Sequence, residues 1–98
     1  MKSREQVIKD GLTKTIMAIQ DLRKQFCAGT IKKMVRISGT LSLEINDIRD
    51  DTIDSPYYGQ TCYYEIYAIK NGVAVDVMTI DTYRIMSDDI YYLLNCYV

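Results

Sequence analysis

The chain predicts an α+β domain: a long N-terminal amphipathic helix packed on an antiparallel sheet of three to five strands, with a short C-terminal helix. Three observations carry this. Apolar residues recur every three or four positions over 4–28. They then alternate strictly with polar residues over 35–45. Asn71-Gly72 interrupts two strand-rich runs within 62–80, the signature of a tight hairpin.

Residues 4–28 form the expected first helix. Ser3 followed by Gln6 reads as a capping box, each side chain placed to satisfy the other's exposed backbone N–H. Ile8, Leu12, Ile16, Ile19, Leu22 and Phe26 make one apolar stripe. Glu5–Lys9 and Asp10–Lys14 set acid before base at i,i+4 on the opposite face, worth a few tenths of a kcal/mol each. Gly11, Thr15 and Ala18 add a stripe of small side chains that lets the helix approach a sheet or a second helix closely. Gly29 is placed to cap the C-terminus in a left-handed conformation.

Residues 35–45 read as one long strand. Val35, Ile37, Gly39, Leu41, Leu43 and Ile45 alternate with Arg36, Ser38, Thr40, Ser42 and Glu44. The strand spans roughly 36 Å at about 3.3 Å per residue, which matches the length of the helix. Gly39 offers a place for a bulge or bend. Residues 47–60, rich in Asp with Ser-Pro and Gly, read as a connection.

In the hairpin, opposing Lys70 to Val73 sets the register. Ala68 then faces Val75, Ile66 faces Val77 and Tyr64 faces Thr79, all toward the core. Tyr67–Asp76, Glu65–Met78 and Tyr63–Ile80 occupy the other face. The tail carries a helix start at Ser87-Asp88-Asp89, with Ile90, Leu93, Leu94 and Tyr97 on one side. The run 90–98 is also rich in strand formers and could pair with 82–86; the helix is the favoured reading. An α-β-β-β-α order resembles that of the double-stranded-RNA-binding domain. The resemblance ends at the order, because the final helix begins with two aspartates where such a domain holds phosphate with basic residues.

Ninety-eight residues suffice for one domain, 1–98. No apolar run approaches the ~20 residues of a membrane span, and residues 1–10 lack the pattern of a signal peptide. An intracellular, cytoplasmic location follows as an expectation, which is the host cytoplasm if the protein is viral. Three separated cysteines form neither a disulfide framework nor a zinc site. Histidine is absent, and with it the commonest general base and metal ligand. There is no phosphate-cradling glycine loop. The expectation is a protein without catalysis, cofactor or metal.

The net charge of −1 conceals a division. Residues 1–36 carry nine basic and three acidic residues, a net of +6; residues 37–98 carry three basic and ten acidic, a net of −7. Such halves attract one another within the fold or each meet a partner of opposite sign.

Nine tyrosines, with no tryptophan and one phenylalanine, make up the aromatic content, and five tyrosines lie within 57–67. Tyrosine favours sheets, and it also supplies rigid contact area with a hydrogen-bonding tip at interfaces. Under the register above, Tyr63, Tyr67, Met78 and Ile80 share the outer face, with Tyr57 and Tyr58 from the adjoining loop. Asp50, Asp51 and Asp54 would steer a basic partner. The expected function is a small protein–protein interaction module: an adaptor, assembly factor or inhibitor, of the kind that viruses and mobile elements use as accessory or counter-defence proteins. The alternatives are a nucleic-acid binder using Arg23, Lys24, Lys32, Lys33 and Arg36, and a self-assembling structural protein or homodimer. No membrane partner is expected.

Overall fold

The computed structural model describes residues 2–81 and 87–98. Six elements follow in order: α1 (Arg4–Arg23), β1 (Thr30–Arg36), β2 (Leu41–Arg49), β3 (Thr61–Lys70), β4 (Val73–Asp81) and α2 (Ser87–Tyr97). The strands form one antiparallel sheet in the order β1-β2-β3-β4, a meander in which each strand pairs with its sequence neighbour. Both helices cover the same side. The fold is therefore α+β.

The long strand expected over 35–45 is in fact two. The chain reverses at 37–40, where Ser38 Oγ accepts from the N–H groups of Thr40 and Leu41, and Leu41 O accepts from the N–H groups of Ile37 and Ser38. The alternation hid the reversal. Val35 pairs with Leu43, so odd-numbered residues face the same way on both strands. Val35, Leu41, Leu43 and Ile45 thus share the helix-covered side and are buried.

α1 starts where expected. Ser3 Oγ accepts from Gln6 N–H at 3.2 Å. The capping box is one-sided, because the Gln6 side chain donates forward to Asp10 Oδ1 at 2.9 Å. Asp10 also takes Lys2 at 2.6 Å, and Glu5–Lys9 forms at 3.4 Å. The helix stops at Arg23, five residues short of the expected end. Phe26 therefore leaves the apolar stripe and is 80% exposed. Gly29 adopts the left-handed conformation (φ 85°), but it belongs to the link into β1 and does not cap the helix.

The face of α1 that meets the sheet is the small-residue stripe. Gly11, Thr15 and Ala18 are buried with Ile8, Ile19 and Leu22, while Leu12 and Ile16 flank them half-buried. A Cβ on Gly11 would lie 3.1 Å from Ile37 Cδ1 and Cγ2 and 3.5 Å from Leu94 Cδ1, so the glycine permits α1, the β1–β2 corner and α2 to meet. Thr15 is buried without cost in unmet polarity, since its hydroxyl donates to Gly11 O at 2.7 Å.

α2 confirms the helical reading of the tail. Ile90, Leu93 and Leu94 are buried and Tyr97 packs at the margin. The alternative pairing with 82–86 lies outside the described residues. α2 has no basic residue in its last turn. Two distant cations take its terminal carbonyls instead: Arg4 donates to Asn95 O and Val98 O, and Lys70 Nζ donates to Tyr97 O at 2.7 Å. Each fully buried Leu or Ile of this core contributes roughly 1.5–3 kcal/mol of transfer free energy.

The hairpin turn is as expected. Asn71 (φ 52°) and Gly72 (φ 81°) are both left-handed, as a type I′ turn requires. Lys70 opposes Val73. The register then shifts at a bulge beyond Ile69, with Ala68 opposing Asp76. Everything further along β4 moves by one residue. Tyr64 pairs with Ile80, Ile66 with Met78, Tyr67 with Val77 and Tyr63 with Asp81. Met78 and Ile80 consequently turn to the helix side, and Ile80 is fully buried.

Candidate interaction surface

With both helices on one side, the other face of the sheet is uncovered. Pairing sets its residues in cross-strand rows. Thr30, Ile48, Tyr63 and Asp81 form one; Lys32, Asn46, Glu65 and Thr79 the next; then Met34, Glu44, Tyr67 and Val77; then Arg36, Ser42, Ile69 and Ala74. Tyr63 and Tyr67 face outward as expected, while Tyr64 and Ile66 are completely buried beneath the helices. Met78 and Ile80 are absent from this face, for the bulge removes them. Met34 and Val77 take their place, both about half exposed.

The tyrosine hydroxyls differ in their surroundings. Tyr64 accepts a hydrogen bond from Arg23 Nε at 3.0 Å, and the Arg23 guanidinium lies 5.8 Å from its ring centre. Tyr67 donates to Glu65 Oε2 at 3.4 Å. The negative charge of Glu65 beside it holds the Tyr67 phenol above its ordinary value, with partial burial adding to the effect.

The 50–60 loop is ordered by its own aspartate. Asp50 Oδ1 accepts from Thr52 N–H at 2.9 Å and Oδ2 accepts from Ser55 Oγ at 2.5 Å. The Ser55 hydroxyl, and then the Thr52 N–H, hold the Asp50 carboxyl below the usual aspartate value. Asp50 thus also shapes the loop through its ionised carboxylate. Asp51 and Asp54 are exposed, as are Ile53, Tyr57 and Tyr58. Gly59, left-handed at φ 80°, lies under the Phe26 ring: an added Cβ would stand 2.8 Å from Phe26 Cε2.

Asp47 belongs to β2, not to the loop. It is fully buried and holds Arg49 through Oδ2 at 2.8 Å, while Oδ1 accepts from Thr61 Oγ1 at 2.7 Å. Arg49 carries on to the carbonyls of Leu22 and Gln25 at the end of α1. Nothing in the residue pattern marked this pair, because two charges spaced i,i+2 look the same in a strand as in a solvated loop. Among the described residues, no three Cys, Asp or Glu side chains converge as a metal site does.

The basic set is divided. Arg23 and Lys24 sit at the end of α1, Lys33 pairs with Asp21 at 3.0 Å on the helix side, and Lys32 and Arg36 lie on the open face. No described helix is long and apolar enough to cross a membrane. Comparison with family models, curated proteins and solved structures finds no match.

Proposed function

We propose that this chain is a non-catalytic protein–protein interaction module, an adaptor, assembly factor or inhibitor. It captures its partner with the open face of its sheet. The observation that carries the reading is the uncovered row set centred on Tyr63 and Tyr67, with Met34, Ile48, Ile69 and Val77 around them. Rigid aromatic area with a polar tip, ringed by aliphatic groups and charges, is the composition of an interface centre. Glu44, Glu65 and Asp81 outnumber Lys32 and Arg36 on the same face, and with Asp51 and Asp54 in the loop the balance is acidic, which favours a partner with basic side chains.

The test is affinity capture from native lysate with the wild-type chain and with Tyr63→Ser/Tyr67→Ser. The double variant should retain its circular dichroism spectrum and lose the captured protein. Retention of the same protein by the variant, with only a stability change, overturns the reading. Capture of nucleic acid in its place, with affinity falling steeply as salt rises, replaces the protein partner with the alternative of phosphate binding.

A further inference from the structure

We infer that β4 of one copy pairs with β1 of another, building an open head-to-tail assembly. Such a seam is formed by the backbone edges of the sheet, and the side chains it brings together, Lys32, Thr79 and Asp81, stand at the two rims of the open face, away from Tyr63 and Tyr67 on the inner strand.

The first ground is charge. Because the strands lie side by side in sequence order, the division of charge along the chain becomes a division across the sheet. β1, one edge, carries Lys32, Lys33 and Arg36 and no acid; β4, the other edge, carries Asp76 and Asp81 and no base. Two copies set edge to edge in this sense bring opposite charges together. Pairing of two β4 strands gathers four carboxylates on one seam.

The second ground is backbone geometry. In an antiparallel ladder, successive residues turn their N–H and C=O groups to opposite sides. The bonds from Arg49 N–H to Gly29 O and from Ile37 N–H to Leu41 O assign the odd-numbered residues of β1 to β2. Thr30, Lys32, Met34 and Arg36 therefore point their backbone groups to the free edge. Likewise Asn71 N–H to Thr40 O assigns odd-numbered β3 residues to β2, leaving Tyr64, Ile66 and Ala68 to bond Ile80, Met78 and Asp76. Val77, Thr79 and Asp81 are then the outward groups of β4. The Val77 N–H points this way but is held within the chain by Asp76 Oδ1 at 2.8 Å, a bond that pairing with another copy exchanges for one to a backbone carbonyl.

These two sets are in register. Four strands are an even number, so a copy placed beside the sheet meets it antiparallel, with its helices on the same side. With the rows level, Met34 opposes Val77, Lys32 opposes Thr79 and Thr30 opposes Asp81. These are the residues whose backbone groups face the edges. Lys32 then lies diagonal to Asp81 of the other copy, within reach of a long side chain. On the helix side Lys33, which keeps its pair with Asp21 at 3.0 Å, opposes Met78. A groove of about 350 Å³ between α1 and β1, lined by Lys14, Met17, Ala18 and Val35, stands beside that position. A head-to-tail contact does not use the same patch twice. Each copy adds four strands and about 80–100° of twist, so the product is a helical ribbon.

The test is sedimentation and light scattering of the purified chain from low-micromolar to near-millimolar concentration. Expected is a mass that climbs past the dimer and falls back as salt is raised. Met34→Pro and Thr79→Pro each remove an edge-facing N–H, where proline is tolerated. Each alone should be limited to monomer, and an equal mixture should form one-to-one dimers through the edges left intact. Should either variant lose its fold by circular dichroism, charge exchange serves instead: Lys32→Glu should weaken association about tenfold, and mixing it with Thr79→Lys should restore it. A wild-type chain that stays monomeric throughout overturns the inference. So does a Met34→Pro chain that dimerises alone, which is the mark of β4–β4 pairing.

Discussion

Arg49 Nη2 lies 2.8 Å from Asp47 Oδ2, two residues earlier on the same strand, and both side chains are buried. The guanidinium goes on to bond the carbonyls of Leu22 and Gln25. One side chain thus joins the sheet to the end of α1, and the aspartate fixes where it points. The pair adds to the helix's own C-cap at Lys24, where Lys24 N–H bonds Asp21 O and Gln25 N–H bonds Leu22 O.

Removing either partner leaves the other charge buried without its countercharge, Arg49 keeping only the carbonyls of Leu22 and Gln25 and Asp47 only Thr61 Oγ1. Asp47→Ala and Arg49→Ala should each destabilise the fold by about 3–5 kcal/mol, read as a fall in the urea midpoint. The double replacement Asp47→Leu/Arg49→Met should cost clearly less than the two single changes added together.

Gly11 sits at the closest approach between α1 and the β1–β2 corner. In Gly11→Ala, a helix-propensity gain of about 1 kcal/mol offsets a small shift of Ile37, so stability should change little. Gly11→Val has no such room and should cost roughly 1–3 kcal/mol through overpacking. Thermal unfolding of the two variants separates these outcomes.

Gly59 is held by backbone conformation as well as by Phe26. Gly59→Ala should lose about 1–2 kcal/mol, since a left-handed position disfavours any side chain. Phe26→Ala, at an exposed ring, should fall within about 0.5 kcal/mol of wild type. Combining the two should recover little, because the larger part of the cost lies in φ and not in the ring contact.

Arg4 closes the end of α2 from the far end of the chain. Arg4→Ala should lower global stability by only about 1 kcal/mol. Its larger effect should be local. Amide hydrogen exchange of 94–98 should quicken while that of β2 and β3 stays protected.

The pH response follows from the direction of each shift. Asp10, Asp21 and Asp50 are lowered by Lys2, Lys33 and Ser55 respectively, so each favours the folded chain when ionised. Their contribution is complete above the unfolded aspartate value near 4 and is lost as pH falls through the lower folded values. Tyr67 and Tyr97 are raised, the first by the charge of Glu65 and the second by its hydrogen bond to Asp76. Their contribution holds below the ordinary phenol value near 10 and is lost as pH rises through the higher folded ones. Urea midpoints measured from pH 2 to 11 should therefore fall at both ends. Asp50→Asn should flatten part of the acid limb and loosen the 50–60 loop, seen as faster exchange of Thr52 and Gly59 amides.

Taken alone, the sequence determined what depends on a few neighbouring residues. The start of α1 at Ser3, the type I′ turn at Asn71-Gly72 and the helical tail from Ser87 are local preferences, and each appears as expected. So does the outward direction of Tyr63 and Tyr67, because alternation over β3 is unbroken along their stretch.

Tertiary structure decided where parity is kept or lost. A reversal at 37–40 that keeps odd residues on one side looks like an uninterrupted strand, and only pairing reveals two. A single extra residue at Val75 turns Ile80 under the helices and Val77 into the open, against the simple hairpin register. The buried Asp47–Arg49 pair and the use of Arg4 at the end of α2 join residues through contacts that local spacing does not encode. The reason is the same throughout. Periodicity reports which side of its own element a residue occupies, whereas burial and charge pairing depend on which other element arrives there.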